Sequence, residues 1–247
     1  MKTSKLITVI FGLLFSSTPM YAQQKIQFGI SGGINRNTLT TDGGYRAFTI
    51  HRPMNGFQIG LPLQYNVYDW LAVQVEPSYI QKNYELKRTV IYNGIGQQFK
   101  NGYLQLPIMA RFSFGGQQLK GFLNLGGYAA YWLNGRIKGT VLNIFDNVPE
   151  IENDQQIGNY SQYNNLYRYN EKFSFDNRRD QRWEFGLLAG VGLEYRMSAS
   201  YKLFIEGRYY YSLSDQQKNY MINQIPRYNN TLGVQIGILV DISHHRH

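Results

Sequence analysis

Six charged residues, Glu76, Arg111, Glu184, Glu194, Glu206 and Arg208, occupy the polar phase of runs whose alternate residues are apolar. Acids and bases so placed could relay protons, line a path for small solutes, or neutralise one another as a structural network. Hydrolysis asks for more, because a nucleophile or an attacking water needs a base beside it. The histidines are His51, in a polar stretch between two apolar runs, and His244, His245 and His247 at the end of the sequence. None accompanies the six, so no enzymatic activity and no cofactor are expected. Asp146, Glu150, Glu152 and Asp154 offer the oxygens calcium prefers, but their spacing is not that of a calcium loop, and no metal site is expected there. Gly186, Gly190 and Gly192 superficially suggest a nucleotide loop. They lie inside an alternating run with no helix after it, which points to close packing instead.

A second constellation is aromatic and basic: Tyr160, Tyr163, Tyr167, Arg168, Tyr169, Phe173, Phe175, Arg178 and Arg179. Tyrosine and arginine among asparagines supply adaptable contacts to protein or glycan, so this stretch is the candidate partner-contact loop. The alternative is a loop folded over the mouth of its own barrel.

The elements that must position these groups are strands. From Trp183 to Tyr195 every second residue is apolar, and between them lie Glu184, Gly186, Gly190, Gly192 and Glu194. The pattern resumes with Leu203, Ile205, Tyr209, Tyr211 and Leu213 against Lys202, Glu206 and Arg208, Phe204 being the exception. Alternation of period two gives one oily and one polar face, here in an antiparallel hairpin. These strands exceed the ~5–6 residues usual in soluble sheets and match the roughly 9–11 of a tilted membrane crossing. Lipid is therefore expected outside and the charges within.

The same alternation predicts an all-β, eight-stranded antiparallel transmembrane barrel of the up-and-down kind. Its first strand covers about Lys25 to Asn35, and later ones follow Phe57 to Tyr65, Leu71 to Tyr79, Leu104 to Phe114, Leu123 to Leu133, the hairpin, and Leu232 to Val240. Connections alternate long and short, the third long one running from Asn134 to Asp180. Outer-membrane barrels carry long loops outside and short turns in the periplasm. Pro62 and Pro107 run against interior strands, since each lacks a ladder donor.

Lys2 and Lys5 before the apolar run Leu6 to Phe15, then small residues ending at Ala22, read as a signal peptide over 1–22. The barrel domain is expected over 23–247. Cysteine is absent, which removes disulfides and thiol chemistry. The net charge of +9 falls to +7 without Lys2 and Lys5. An exported basic chain suits anionic lipid or lipopolysaccharide phosphates rather than nucleic acid. The 21 tyrosines and 14 phenylalanines suit membrane interfaces.

The segments Asn101 to Arg111 (NGYLQLPIMAR), Trp183 to Tyr195 (WEFGLLAGVGLEY) and Ile205 to Tyr211 (IEGRYYY) resemble the PorT-like outer-membrane barrel domains of Bacteroidetes. The resemblance implies the barrel fold and, for some relatives, a part in protein secretion across the outer membrane. The expected function is a structural and interaction protein with a side-chain-filled lumen, working through its extracellular loops beside envelope or secretion-complex proteins. A narrow proton or small-solute transporter, and a soluble secreted barrel binding an apolar ligand, remain open alternatives.

Overall fold

The computed structural model describes residues 26–41, 49–89, 94–142, 166–222 and 224–242. The expected signal peptide, the acidic cluster at 146–154, Tyr160, Tyr163 and the terminal histidines lie outside them. The described chain is all strand and connection: β1 (Ile26–Thr41), β2 (Thr49–Gly60), β3 (Leu63–Asn66), β4 (Leu71–Val75), β5 (Ser78–Gln81), β6 (Tyr84–Arg88), β7 (Gly96–Gly115), β8 (Leu119–Leu142), β9 (Leu166–Lys172), β10 (Trp183–Arg196), β11 (Tyr201–Ser212) and β12 (Arg227–Asp241).

Every pairing is antiparallel, and the pairings close a ring. On one side β1 meets β12, which meets β11, then β10, β8 and β7. On the other side β1 meets β2 and β3, which pair with β4, β5 and β6, and these return to β7. Closure matters in lipid, where an open sheet edge would leave backbone donors and acceptors without water or partner.

Eight uninterrupted strands were expected, and the described residues hold twelve. Proline causes part of the difference. Pro62 separates β2 from β3, and Pro77 separates β4 from β5 at the same height, between the pairs Gly60 with Ser78 and Leu63 with Val75. Pro107 lies level with them on β7, between the partners of Val75 and Ser78. Each ring nitrogen lacks a proton, but the proline carbonyls still accept from neighbouring strands and residues. Leu61 N–H donates to the Pro77 carbonyl at 2.9 Å, Gly29 N–H to that of Pro62 at 2.9 Å, and Glu76 N–H to that of Pro107 at 3.1 Å. A second break, at Lys82 and Asn83, is bridged by side chain: Asn83 Nδ2 donates to the Asn55 carbonyl and Asn83 Oδ1 accepts from Asn101 N–H.

The strands also run further than the alternation indicated. β8 continues to Leu142, and β9 returns beside Arg136 to Leu142, so the described stretches 134–142 and 166–172 of the expected connection from Asn134 to Asp180 are wall. His51, expected in a connection, sits in β2 opposite Leu86.

Orientation is decided by exposure. Val191 is 62% exposed and Ile205 49%, and Ile34, Leu106, Leu187 and Ile236 are exposed with them, whereas Gln74, Arg111, Asn124, Glu206 and Arg208 are buried. A soluble barrel would reverse this arrangement; the alternative of a soluble, ligand-binding barrel is thereby overturned. Aromatic rings gather at both ends of the oily band, as membrane interfaces favour. Near the short turns Trp70 stacks with Tyr68 and Phe112 at 5.9 and 6.2 Å, and near the long connections Tyr131 meets Trp183 at 5.1 Å and Phe57 meets Tyr79 at 5.8 Å.

Candidate functional site: the lumen and its mouth

Small residues on one strand make room for large ones on its neighbours. A Cβ at Gly186 would meet the Tyr128 ring, one at Gly190 the Glu206 carboxylate, and one at Gly192 the Phe122 ring. Three inward positions of β10 therefore carry no side chain because the lumen there is already filled from β8 and β11.

Five of the six sequence-selected charges meet near the middle and lower lumen. Arg208 Nη2 donates to Glu76 Oε2 at 2.9 Å and Glu206 Oε2 at 2.6 Å, while Nη1 donates to the Tyr210 hydroxyl at 3.1 Å. Glu76 also accepts from Ser31 Oγ, and Glu206 from Asn124 Nδ2 and Gln235 Nε2. Gln74 links this group to the next: it donates to Glu76 and accepts from Arg111 Nη1. Arg111 Nη2 donates to Glu194 Oε2 at 2.7 Å, and its guanidinium lies 3.5 Å from the centre of the Phe122 ring. Lys202 completes the group at 3.2 Å from Glu194. Three acids thus face three bases, which is how buried charge is tolerated at all.

Glu184 stands apart, towards the long connections. Its carboxylate accepts from Lys82 Nζ, from the Tyr128 hydroxyl at 2.8 Å and from Asn229 Nδ2 at 2.9 Å. Between the two groups, Tyr128 and Tyr210 meet edge to face at 5.5 Å beside Met109 and Leu188. Lys82 and Lys202 were missed as members of the network. Lys82 continues the polar phase of the run ending in β5 and Lys202 lies on that of β11, but Ile80 interrupts the first pattern and Phe204 the second. Those two apolar residues face inward and are buried.

The upper mouth is closed by rings. Trp132 stacks on Phe173 at 4.8 Å and Tyr103 at 5.9 Å and takes Phe175 edge-on at 5.0 Å. Arg182 lies between the Tyr131 and Phe175 rings, 4.4 and 4.2 Å from their centres. The connection carrying Phe173 and Phe175 is tied to the one after β11: Lys218 N–H donates to the Arg179 carbonyl and Lys218 Nζ to that of Asn177, both at 2.8 Å. Asp180 holds Arg179 at 2.8 Å, and this hydrogen bond keeps the guanidinium pKa above its ordinary value.

The expected contact loop is therefore divided. Phe173 and Phe175 are packed into the mouth and Arg179 is paired, while Tyr167, Arg168 and Arg178 are exposed. Tyr169 accepts from Gln97 Nε2 at 2.6 Å. At the opposite end a polar vestibule of about 310 Å³ reaches in to Glu194 and Lys202, past Gln27, Gln64, Asn66 and Asp241. Among the described residues no group of His, Asp or Glu is arranged to hold a metal.

A closed antiparallel ring with an oily outer wall and an ion-paired interior defines the outer-membrane β-barrel class. The chain belongs to the outer membrane protein beta-barrel domain family, whose pattern it matches over residues 21–218, and it resides in the bacterial outer membrane. Among solved structures it is similar to the outer membrane protein OprG of Pseudomonas aeruginosa, at 13% identity over 89% of this chain and 97% of that one with a TM-score of 0.46. It is also similar to the Neisserial surface protein A, at 12% identity over 87% and 97% with a TM-score of 0.41. A third is Ail, the attachment invasion locus protein of Yersinia pestis, solved with a heparin analogue, at 17% identity over 87% and 99% with a TM-score of 0.39. No curated protein matches the chain.

Proposed function

We propose that the protein is a plugged, non-enzymatic barrel of eight staves that acts through its extracellular end as an interaction partner in the envelope. The eight-stave reading joins β2 with β3, β4 with β5 and β6, and β9 with β10, since each group runs in succession along the same neighbour or neighbours. An eight-stave ring is only wide enough for its own side chains to fill. On this reading the short turns and the end of β12 face the periplasm, after removal of an amino-terminal signal.

The observation that carries the proposal is the filled lumen. The ionic network around Arg208 and Arg111, the pair of tyrosines above it, and the Trp132, Phe173 and Phe175 cap occupy successive levels. Charges committed to one another are poor carriers, because moving a solute past them would strand a buried ion. Exposed Tyr167 on β9 and Arg178 in the connection after it belong to the contact surface for envelope or secretion-complex proteins. The PorT-like resemblance is the reason for naming secretion.

Single-channel recording of the purified barrel in planar bilayers tests the reading. No steady open state is expected. A reproducible conductance would instead favour a narrow transporter fed from the polar vestibule beside Glu194 and Lys202.

A further inference from the structure

Five cations line the outer wall just above the oily band on β7, β8 and β9. Register places Lys100 directly opposite Arg136, and Arg136 directly opposite Lys172, so three cations on three consecutive strands share one row and one face. Two residues further up, Lys138 stands on the same face, and Arg168 belongs to the row above it. All five are exposed. Gly102 and Tyr103 form an irregularity just below, and beyond it Phe99 and Ile137 point inward to pack with Tyr84 and Leu39. Their strand neighbours Lys100, Arg136 and Lys138 consequently point outward.

Like charges directly opposite each other on a sheet repel. In the lumen each cation faces a carboxylate. Among the described residues none of the five makes an ion pair; Glu171, beside Lys172, stands opposite inward-pointing Ile137 and so lies on the other phase, and the carboxylate in register on the same face, Glu85, accepts a hydrogen bond from Gln98 at 3.1 Å. The row also has a definite height. Lys100 lies four residues beyond Leu104 and Arg136 three beyond Leu133, both of which are exposed on the oily band. Three residues advance roughly 10 Å along a strand, and long basic side chains can bend back towards the interface. The cations therefore stand where the headgroups of the outer leaflet lie.

We propose that Lys100, Arg136 and Lys172, extended by Lys138 and Arg168, form a binding site for a glycolipid bearing at least two phosphates in the outer leaflet. One phosphate bridges the row and the second reaches the pair above it, while the acyl chains run down the wall past Leu104 and Leu133. Continuity of the cationic row with the oily band selects an amphiphile over a free anion, which would make no use of the band. The proposal depends on the outward orientation of the apolar face and is independent of whether the lumen conducts.

The test is native mass spectrometry and titration of the barrel in zwitterionic nanodiscs with diphosphorylated lipid A, with inorganic phosphate and phosphatidylglycerol as comparison arms. A basic residue near a membrane surface contributes about a fivefold gain in binding. The triple variant Lys100→Gln, Arg136→Gln, Lys172→Gln should therefore lose about a hundredfold in lipid A affinity while keeping its heat-modifiable mobility. A control triple, Arg52→Gln, Arg88→Gln, Arg196→Gln, removes the same charge and should bind as the wild type does. Equal loss in both triples would mean net charge alone, and would overturn the site. Failure of the wild type to bind, as when acids elsewhere in the chain already neutralise the row, would overturn it too. Inorganic phosphate or phosphatidylglycerol binding as tightly as lipid A would refute the bisphosphorylated amphiphile.

Discussion

Replacing Arg208 with methionine removes one side chain and unbalances two buried carboxylates. Arg208 supplies charged donors to Glu76 and Glu206 at 2.9 and 2.6 Å, and both acids are about 1% exposed. After the substitution Glu76 keeps Ser31 and Gln74, and Glu206 keeps Asn124 and Gln235. Those neutral donors satisfy lone pairs but leave two negative charges in a confined space with no cation between them. Breaking a buried pair from one side costs about 3–5 kcal/mol, and the retained donors argue for the lower part of that range. The assay is urea unfolding in lipid vesicles, followed by tryptophan fluorescence. A triple variant, Arg208→Met with Glu76→Gln and Glu206→Gln, removes the stranded charge; each new amide accepts through its oxygen and donates through its nitrogen, one neighbour at each site turning to accept. It should return to within about 1–2 kcal/mol of the wild type, since a buried pair and a neutral replacement are often close in stability. A loss below about 1 kcal/mol in the single variant would show that water already screens the cluster. A triple variant as unstable as the single one would show that charge imbalance is not the cause.

Two further substitutions test the packing and the orientation. Gly192→Ala places a Cβ against the Ile205 carbonyl and the Phe122 ring, whereas at Gly207 the nearest neighbour is 3.9 Å away. The first should cost about 1–3 kcal/mol and the second stay within about 0.5 kcal/mol, by the same urea titration; equal effects would contradict the filled-lumen account. Val191→Arg puts a charge on the oily band between the Trp183 and Tyr195 levels and should cost about 2–4 kcal/mol in bilayers, measured as a shift in the unfolding midpoint. No shift would mean that this face does not meet acyl chains.

Periodicity carried the wall. In Trp183 to Tyr195 the oily phase and the polar phase are visible in the letters, and both faces fall where alternation puts them. Strand ends were less legible. Above the membrane the alternation of oil and water stops, because both faces are wet or covered by a loop, so β8 beyond Leu133 and all of β9 read as connection. Pro62 and Pro107 were visible as obstacles, but not that Pro77 stands level with them, where neighbouring N–H groups donate to all three proline carbonyls.

Period-two patterning is local and survives without any knowledge of neighbours, so the residues alone carry strands with one oily and one charged face. Partner choice needed the closed ring. Glu76 and Arg208 are 132 residues apart and Arg111 and Glu194 are 83 apart, so which acid meets which base depends on strand register and on how a small circle brings opposite walls together. The cationic row on the outer wall is of the same kind. Lys100, Arg136 and Lys172 look like scattered surface charges along the chain, and only cross-strand register makes them one site.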